Sequence, residues 1–155
     1  MCDESGEQGP VPAVRRLNMG KTALIVEDEI FVALDLERIL VDAGYRVCAI
    51  APDSAAAMRC ADSCDFALVD VNLRDGATGP TIGEKLACEY GVKVVFVTAN
   101  PGQIGAPRGA LGYVRKPFSE IAILAAARLA AEGAADTAND VMPIGGAAER
   151  DAAVG

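Results

Sequence analysis

The stretch DFALVDVN, residues 65–72, sets four apolar residues, Phe66 to Val69, directly before a carboxylate, Asp70. An unbroken apolar run of that length suits a strand buried on both faces. A carboxylate inside such a strand would cost several kcal/mol, so the acid marks the strand's end. Two other segments repeat the arrangement. TALIVEDE, residues 22–29, runs into Glu27, Asp28 and Glu29, and VVFVTAN, residues 94–100, runs into Thr98.

Outward from these runs the chain alternates between two periods. EIFVALDLERILVDAG reads as a helix stopped by Gly44, followed by a strand, RVCAIA. DSAAAMRCADS reads as a helix with Asp53 or Ser54 as its N-cap, followed by the strand FALVD. TIGEKLACEYG reads as a helix ended by Gly91, followed by KVVFVTA and a further strand, LGYVRK. SEIAILAAARLAAEG is a last helix capped by Ser119. Strands alternating with helices at this spacing build βαβ units, and the expected fold is an α/β sandwich, a five-stranded parallel sheet with helices on both faces. Residues 1–20 and 134–155, rich in Gly, Ala, Pro and charge without a period, are expected to be a disordered leader and a flexible tail around one domain at 21–133.

In open parallel sheets, ligands bind beyond the carboxyl ends of the strands. Glu27, Asp28, Asp70, Thr98, Ala99 and Lys116 therefore converge on one pocket. Each pair of carboxylates about 4 Å apart costs roughly 4 kcal/mol at an effective dielectric near 20, and one lysine cannot neutralise three. A divalent cation can, and hard oxygen ligands suit Mg²⁺. Asp28 and Asp70 are the expected direct ligands, the backbone carbonyl of Asn72 a third, and Glu27 a ligand through water. Asp70 then serves as a carboxylate nucleophile toward a phosphoryl group, with Lys116, the Thr98 hydroxyl and backbone N–H groups taking the phosphoryl oxygens.

The set Glu27-Asp28, Asp70, Thr98-Ala99 and Lys116-Pro117, in that order on a βα pattern, resembles the receiver domain of two-component response regulators from residue 21 to about 133. The resemblance implies the flavodoxin-like (CheY-like) strand order 2-1-3-4-5, bound Mg²⁺, and phosphorylation of Asp70 by a partner histidine kinase or histidine phosphotransfer protein. It also implies phosphate contacts from Thr98, Lys116 and the backbone at Asn72 and Ala99, a cis Lys116-Pro117 bond, and a switching aromatic at Tyr113. The chain departs from the family's pattern in two loops. Arg74 stands where many receivers have proline, and Gly76 and Gly79 suggest a looser loop. Between Thr98 and Lys116 lie Pro101, Pro107 and four glycines; at penalties of about 1 kcal/mol per Gly and 3 per interior Pro, the helix usual there is expected to be short or absent.

Composition bounds the function. The chain has 155 residues, a net charge of −8, no histidine and five cysteines. The charge argues against nucleic-acid binding. No apolar run approaches a membrane span, no secretory signal opens the sequence, and cysteines without a CxxC pair read as reduced thiols of a cytoplasmic protein. Without histidine, any phosphohistidine must belong to a partner. The reading is a stand-alone receiver, not an enzyme beyond its own phosphoryl transfer, that signals to a downstream protein or acts as a phosphate sink. Two alternatives stay open: an interaction module of the same fold that takes no phosphate, and a haloacid-dehalogenase-like phosphatase, although that class wants an acid where Asn72 stands. On the first helix Val32, Leu36, Ile39 and Ala43 form a core stripe. Ile30, Phe31, Leu34 and Val41 lie beside it, either as a wider core or as a surface for a homodimer or a phosphotransfer domain.

Overall fold

The apolar runs become the five strands of one parallel sheet in the computed structural model, which describes residues 20–133 and 140–144. In chain order the elements are β1 (Thr22–Val26), α1 (Ile30–Asp42), β2 (Arg46–Ala51), α2 (Ser54–Arg59), β3 (Phe66–Val69), α3 (Gly79–Tyr90), β4 (Lys93–Thr98), β5 (Ala110–Arg115) and α4 (Glu120–Glu132). The strand order is β2-β1-β3-β4-β5, all parallel. Helix starts follow the capping chemistry. The Asp53 carboxylate accepts from the Ala56 N–H at 3.0 Å, and the Ser119 hydroxyl accepts from the Ala122 N–H at 3.1 Å. No helix among the described residues is long and apolar enough to cross a membrane.

The sheet separates two apolar cores. Ile25, Leu36, Leu68, Val97 and Ile123 belong to the one under α1 and α4, and Leu24, Val69, Ile82, Leu86 and Phe96 to the one under α2 and α3. The central strands contribute to both, which explains why β1, β3 and β4 read as continuous apolar runs. On α1 the buried stripe is Ala33, Leu36, Ile39 and Leu40, rotated from the one expected; Val32 and Ala43 are half-buried. The flanking residues are not a wider core, since Ile30, Leu34 and Val41 are exposed and Phe31 is 85% exposed.

Two connections decide the shape of the sheet's carboxyl edge. Between β4 and β5 a single 3₁₀ turn, Pro101–Gln103, stands in place of a helix. The rest of that loop is held by buried Ile104 and by Arg108, whose guanidinium meets Glu84 at 2.9 Å. The loop between β3 and α3 is tighter than its glycines suggest. Leu73 and Gly76 exchange backbone hydrogen bonds of 2.8 and 3.0 Å. The Asp75 carboxylate accepts from the Thr78 hydroxyl at 2.7 Å and from the Ser54 N–H at 3.2 Å. These bonds hold the carboxyl of Asp75 down, at about 2.

The leader and tail expected at 1–20 and 134–155 fall largely outside the described residues. Residues 140–144 are an exception to the flexible-tail reading. Met142 and Tyr113 exchange backbone hydrogen bonds of 2.8 Å each across the outer edge of β5, and Val141 is buried. Burying a valine is worth about 1.5–3 kcal/mol, enough to hold a short segment that carries no periodic signal.

Candidate functional site

Each site residue sits at or just beyond a strand tip. Glu27 and Asp28 follow β1, Asp70 follows β3, Thr98 ends β4, and Lys116 follows β5. Backbone bonds fix these tips. The Glu27 N–H donates to the Ala51 carbonyl, the Asp70 N–H to the Val26 carbonyl, and the Lys116 N–H to the Thr98 carbonyl, each at 2.9 Å. The side chains then meet. Lys116 Nζ donates to Glu27 Oε1 at 2.8 Å and to Asp70 Oδ2 at 2.9 Å. The second oxygens are also engaged, Glu27 Oε2 by the Glu29 N–H at 3.1 Å and Asp70 Oδ1 by the Val71 N–H at 2.7 Å.

Glu27, Asp28 and Asp70 each bring a carboxylate oxygen within 4.8 Å of the others, the one cluster of metal-ligating side chains among the described residues. Glu27 and Asp70 are buried while Asp28 is exposed. The three negative charges of this cluster thus share one ammonium, which also has the exposed Glu29 carboxylate 3.6 Å away. Burial is the strongest influence on Glu27 and pushes its pKa up, opposed by the Lys116 bond and reinforced by the Asp70 charge. Burial also weighs most on Lys116 and acts downward there. The bonds to Glu27 and Asp70 outweigh it, and the net shift is upward. The donor set, three hard carboxylates left with surplus negative charge, fits a hard divalent cation.

The remaining candidates are placed as follows. Thr98 is fully buried, and its hydroxyl accepts from the Asn100 N–H at 3.0 Å. Ala99 lines a groove beside the cluster with Val32, Asp35, Lys116, Pro117 and Phe118. The Asn72 side-chain amide donates to Gln103 Oε1 at 2.8 Å, tying the β3–α3 loop to the 3₁₀ turn. Tyr113 lies on β5, half-buried against the α2–α3 core, and is not among the residues that meet at the cluster. Lys116-Pro117 is cis. One contributor escaped the sequence reading. Gly79, at the start of α3, has no room for a side chain, since a Cβ would overlap the Asp70 carbonyl oxygen and come within 2.6 Å of Val71 Cα. Its N–H donates to the Val71 carbonyl at 2.9 Å, so the helix start braces the backbone that carries Asp70. A glycine opening a helix three residues after another glycine looks like loop punctuation, and no sequence signal separates it from that.

A parallel sheet in this order, with an acid cluster and a bridging lysine at its carboxyl edge, defines a receiver-type domain. The family model for the response regulator receiver domain matches residues 23–128, more than half of the chain, and the chain belongs to that family. It is 32% identical over 104 residues to the phyllosphere-induced regulator PhyR of Methylorubrum extorquens, a match covering 65% of this chain and 37% of that protein's length. Among solved structures, the receiver domain of PhyR from Erythrobacter litoralis superposes with a TM-score of 0.63 at 25% identity, over 73% of this chain and 91% of that one. The signal receiver domain of a modulated diguanylate cyclase from Desulfovibrio desulfuricans gives 0.63 at 27% identity, over 70% and 91%.

Proposed function

We propose that the chain is a phosphoacceptor receiver in which Asp70 takes a phosphoryl group from a phosphohistidine of a partner kinase or phosphotransfer protein. The observation that carries this reading is the placement of Lys116 Nζ within 2.9 Å of both Glu27 and Asp70, inside a trio of carboxylates too negative to stand alone. In the transfer, an Asp70 carboxylate oxygen forms a bond to phosphorus, the P–N bond to the donor imidazole breaks, and the imidazole nitrogen keeps the electron pair and takes up a proton. Water later cleaves the acyl phosphate and returns the carboxylate.

The chain's own groups position and neutralise. Lys116 already holds one Asp70 oxygen and can follow the charge onto the phosphoryl oxygens. Thr98, one strand over, can turn its hydroxyl from the Asn100 N–H toward them, with the backbone N–H groups at Asn72 and Ala99 alongside. Asp28, Asp70 and the Asn72 carbonyl would hold Mg²⁺, with Glu27 reached through water, and the ion would supply the positive charge that Lys116 alone cannot. Tyr113 would respond to the shift of Thr98 through the β4–β5 pairing, in which Thr98 lies opposite Arg115. The groove lined by Val32, Ala99 and Phe118, beside Lys116, offers the phosphodonor an apolar seat. Output would pass to a downstream protein, or the chain would drain phosphate from its donor.

The test is incubation with Mg²⁺ and acetyl phosphate followed by intact mass. An acid-stable, base-labile phosphate that is lost in Asp70→Asn is the expected result. No adduct on the wild-type chain points to an interaction module without phosphate chemistry, and rapid hydrolysis of the donor with no adduct points to a phosphatase.

A further inference from the structure

Gly112 lies within the edge strand β5, where glycine weakens pairing and β-branched or aromatic residues are favoured. Its backbone does not require glycine, because its φ is not among the positive ones. The space requires it. A Cβ at Gly112 would fall 2.6 Å from the Met142 carbonyl oxygen and 2.8 Å from Val141 Cγ1, and its next neighbour, at 3.5 Å, is again Met142. The missing side chain is replaced by the segment 140–144.

That segment is seated as a strand. The Tyr113 N–H donates to the Met142 carbonyl and the Met142 N–H to the Tyr113 carbonyl, each at 2.8 Å, in antiparallel sense. Val141 enters the core under α1 and α4, and Ile144 packs against the core on the other face, so the segment straddles the sheet edge. Among the described residues this pairing is a single rung, Tyr113 opposite Met142. By strand alternation Leu111 and Arg115 present their backbone groups to the same edge as Tyr113. Exposed Leu111 and Met142 form an apolar rim. A single rung with one buried anchor makes the occupant exchangeable.

We propose that the outer edge of β5 is a strand-addition site, that residues 141–143 are its resident occupant, and that an extended apolar peptide of a partner protein binds there by displacing them. The partner segment would run antiparallel to β5 and set a β-branched residue over Gly112, as Val141 does, with backbone bonds supplying affinity and the Gly112 notch supplying selectivity.

Amide hydrogen exchange on the full chain is expected to show protected Tyr113 and Met142 amides. Gly112→Ala, whose methyl would overlap the segment, exposes both while far-UV circular dichroism stays unchanged. Val141→Asp expels the resident and leaves the edge intact. A labelled synthetic peptide of residues 139–145 should therefore bind Val141→Asp about tenfold or more tightly than wild type, because the competent state is no longer occupied, and should not bind Gly112→Ala. Should Val141→Asp fail to fold, Met142→Pro, which removes the donor to the Tyr113 carbonyl, takes its place. A freely exchanging Tyr113 amide in the wild type, or equal peptide affinity for all three chains, overturns the proposal. Protection that vanishes on dilution overturns it too, by assigning the bound segment to a second copy. None of these readouts needs phosphate on Asp70, so their failure and the failure of the receiver reading are separately visible.

Discussion

Replacing Lys116 with methionine keeps the aliphatic stem and removes the ammonium that stands 2.8 Å from Glu27 and 2.9 Å from Asp70. All three side chains are buried or nearly so, at 14%, 1% and 9% exposure, so solvent screening does not erase the effect. The two carboxylates left behind have oxygens within 4.8 Å of each other. If both stayed ionised, their repulsion would be about 3.5 kcal/mol at an effective dielectric near 20. The variant can escape by protonating Glu27, whose pKa is already pushed up by burial. From an ordinary glutamate value near 4.3, that escape costs at most about 4 kcal/mol at pH 7.5 and about 1 kcal/mol at pH 5. Lys116→Met is therefore expected to lose about 3–4 kcal/mol at pH 7.5 and about 1 kcal/mol at pH 5. The sign follows from proton counts. Between those pH values the folded variant holds a proton on Glu27 that the unfolded chain has released, so stability falls as pH rises. Urea denaturation of both chains at the two pH values measures the difference, and Mg²⁺ added at pH 7.5 should recover part of it. A loss under about 1 kcal/mol at pH 7.5, or one that does not change with pH, would refute the electrostatic account of the cluster.

Other consequences are smaller in scope. Mg²⁺ should raise the melting temperature of the wild-type chain by linkage, and Asp28→Asn should weaken the apparent affinity about tenfold or more while raising the metal-free melting temperature, because it removes one of three mutually repelling carboxylates. Gly79→Ala should cost on the order of 1–3 kcal/mol in urea denaturation by forcing α3 off the Asp70 carbonyl, and should slow adduct formation with acetyl phosphate; unchanged values would mean the helix start can slide freely. Ser119→Ala and Asp53→Ala each remove an N-cap and should each cost about 1 kcal/mol, read as a lower melting temperature.

The sequence made most of this architecture legible because two periods carried it. Unbroken apolar runs at β1, β3 and β4 meant strands buried on both faces, and a polar residue at the end of each located the sheet's carboxyl edge. The missing helix before β5 was readable for a similar reason, since glycine and proline act locally. What stayed hidden depended on through-space fit. Gly79 looks like a loop residue until the Asp70 carbonyl is placed against it. The α1 stripe moved onto Ala33 and Leu40 because the helix's rotation on the sheet is set by its neighbours, not by its own pattern. Residues 140–144 make one rung beside a proline, too short for any alternation to show, and the matching notch at Gly112 is a glycine like any other until its occupant is seen.

The lysine of the charged cluster lies 89 residues from Glu27 and 46 from Asp70 along the chain. During synthesis on the ribosome, the two acids emerge long before their counter-charge, and the pocket cannot close until the last strand has been delivered. A truncated or stalled chain would carry that acidic edge without its lysine, so under the proposed function a phosphorylated chain would also be one whose translation had run past Lys116.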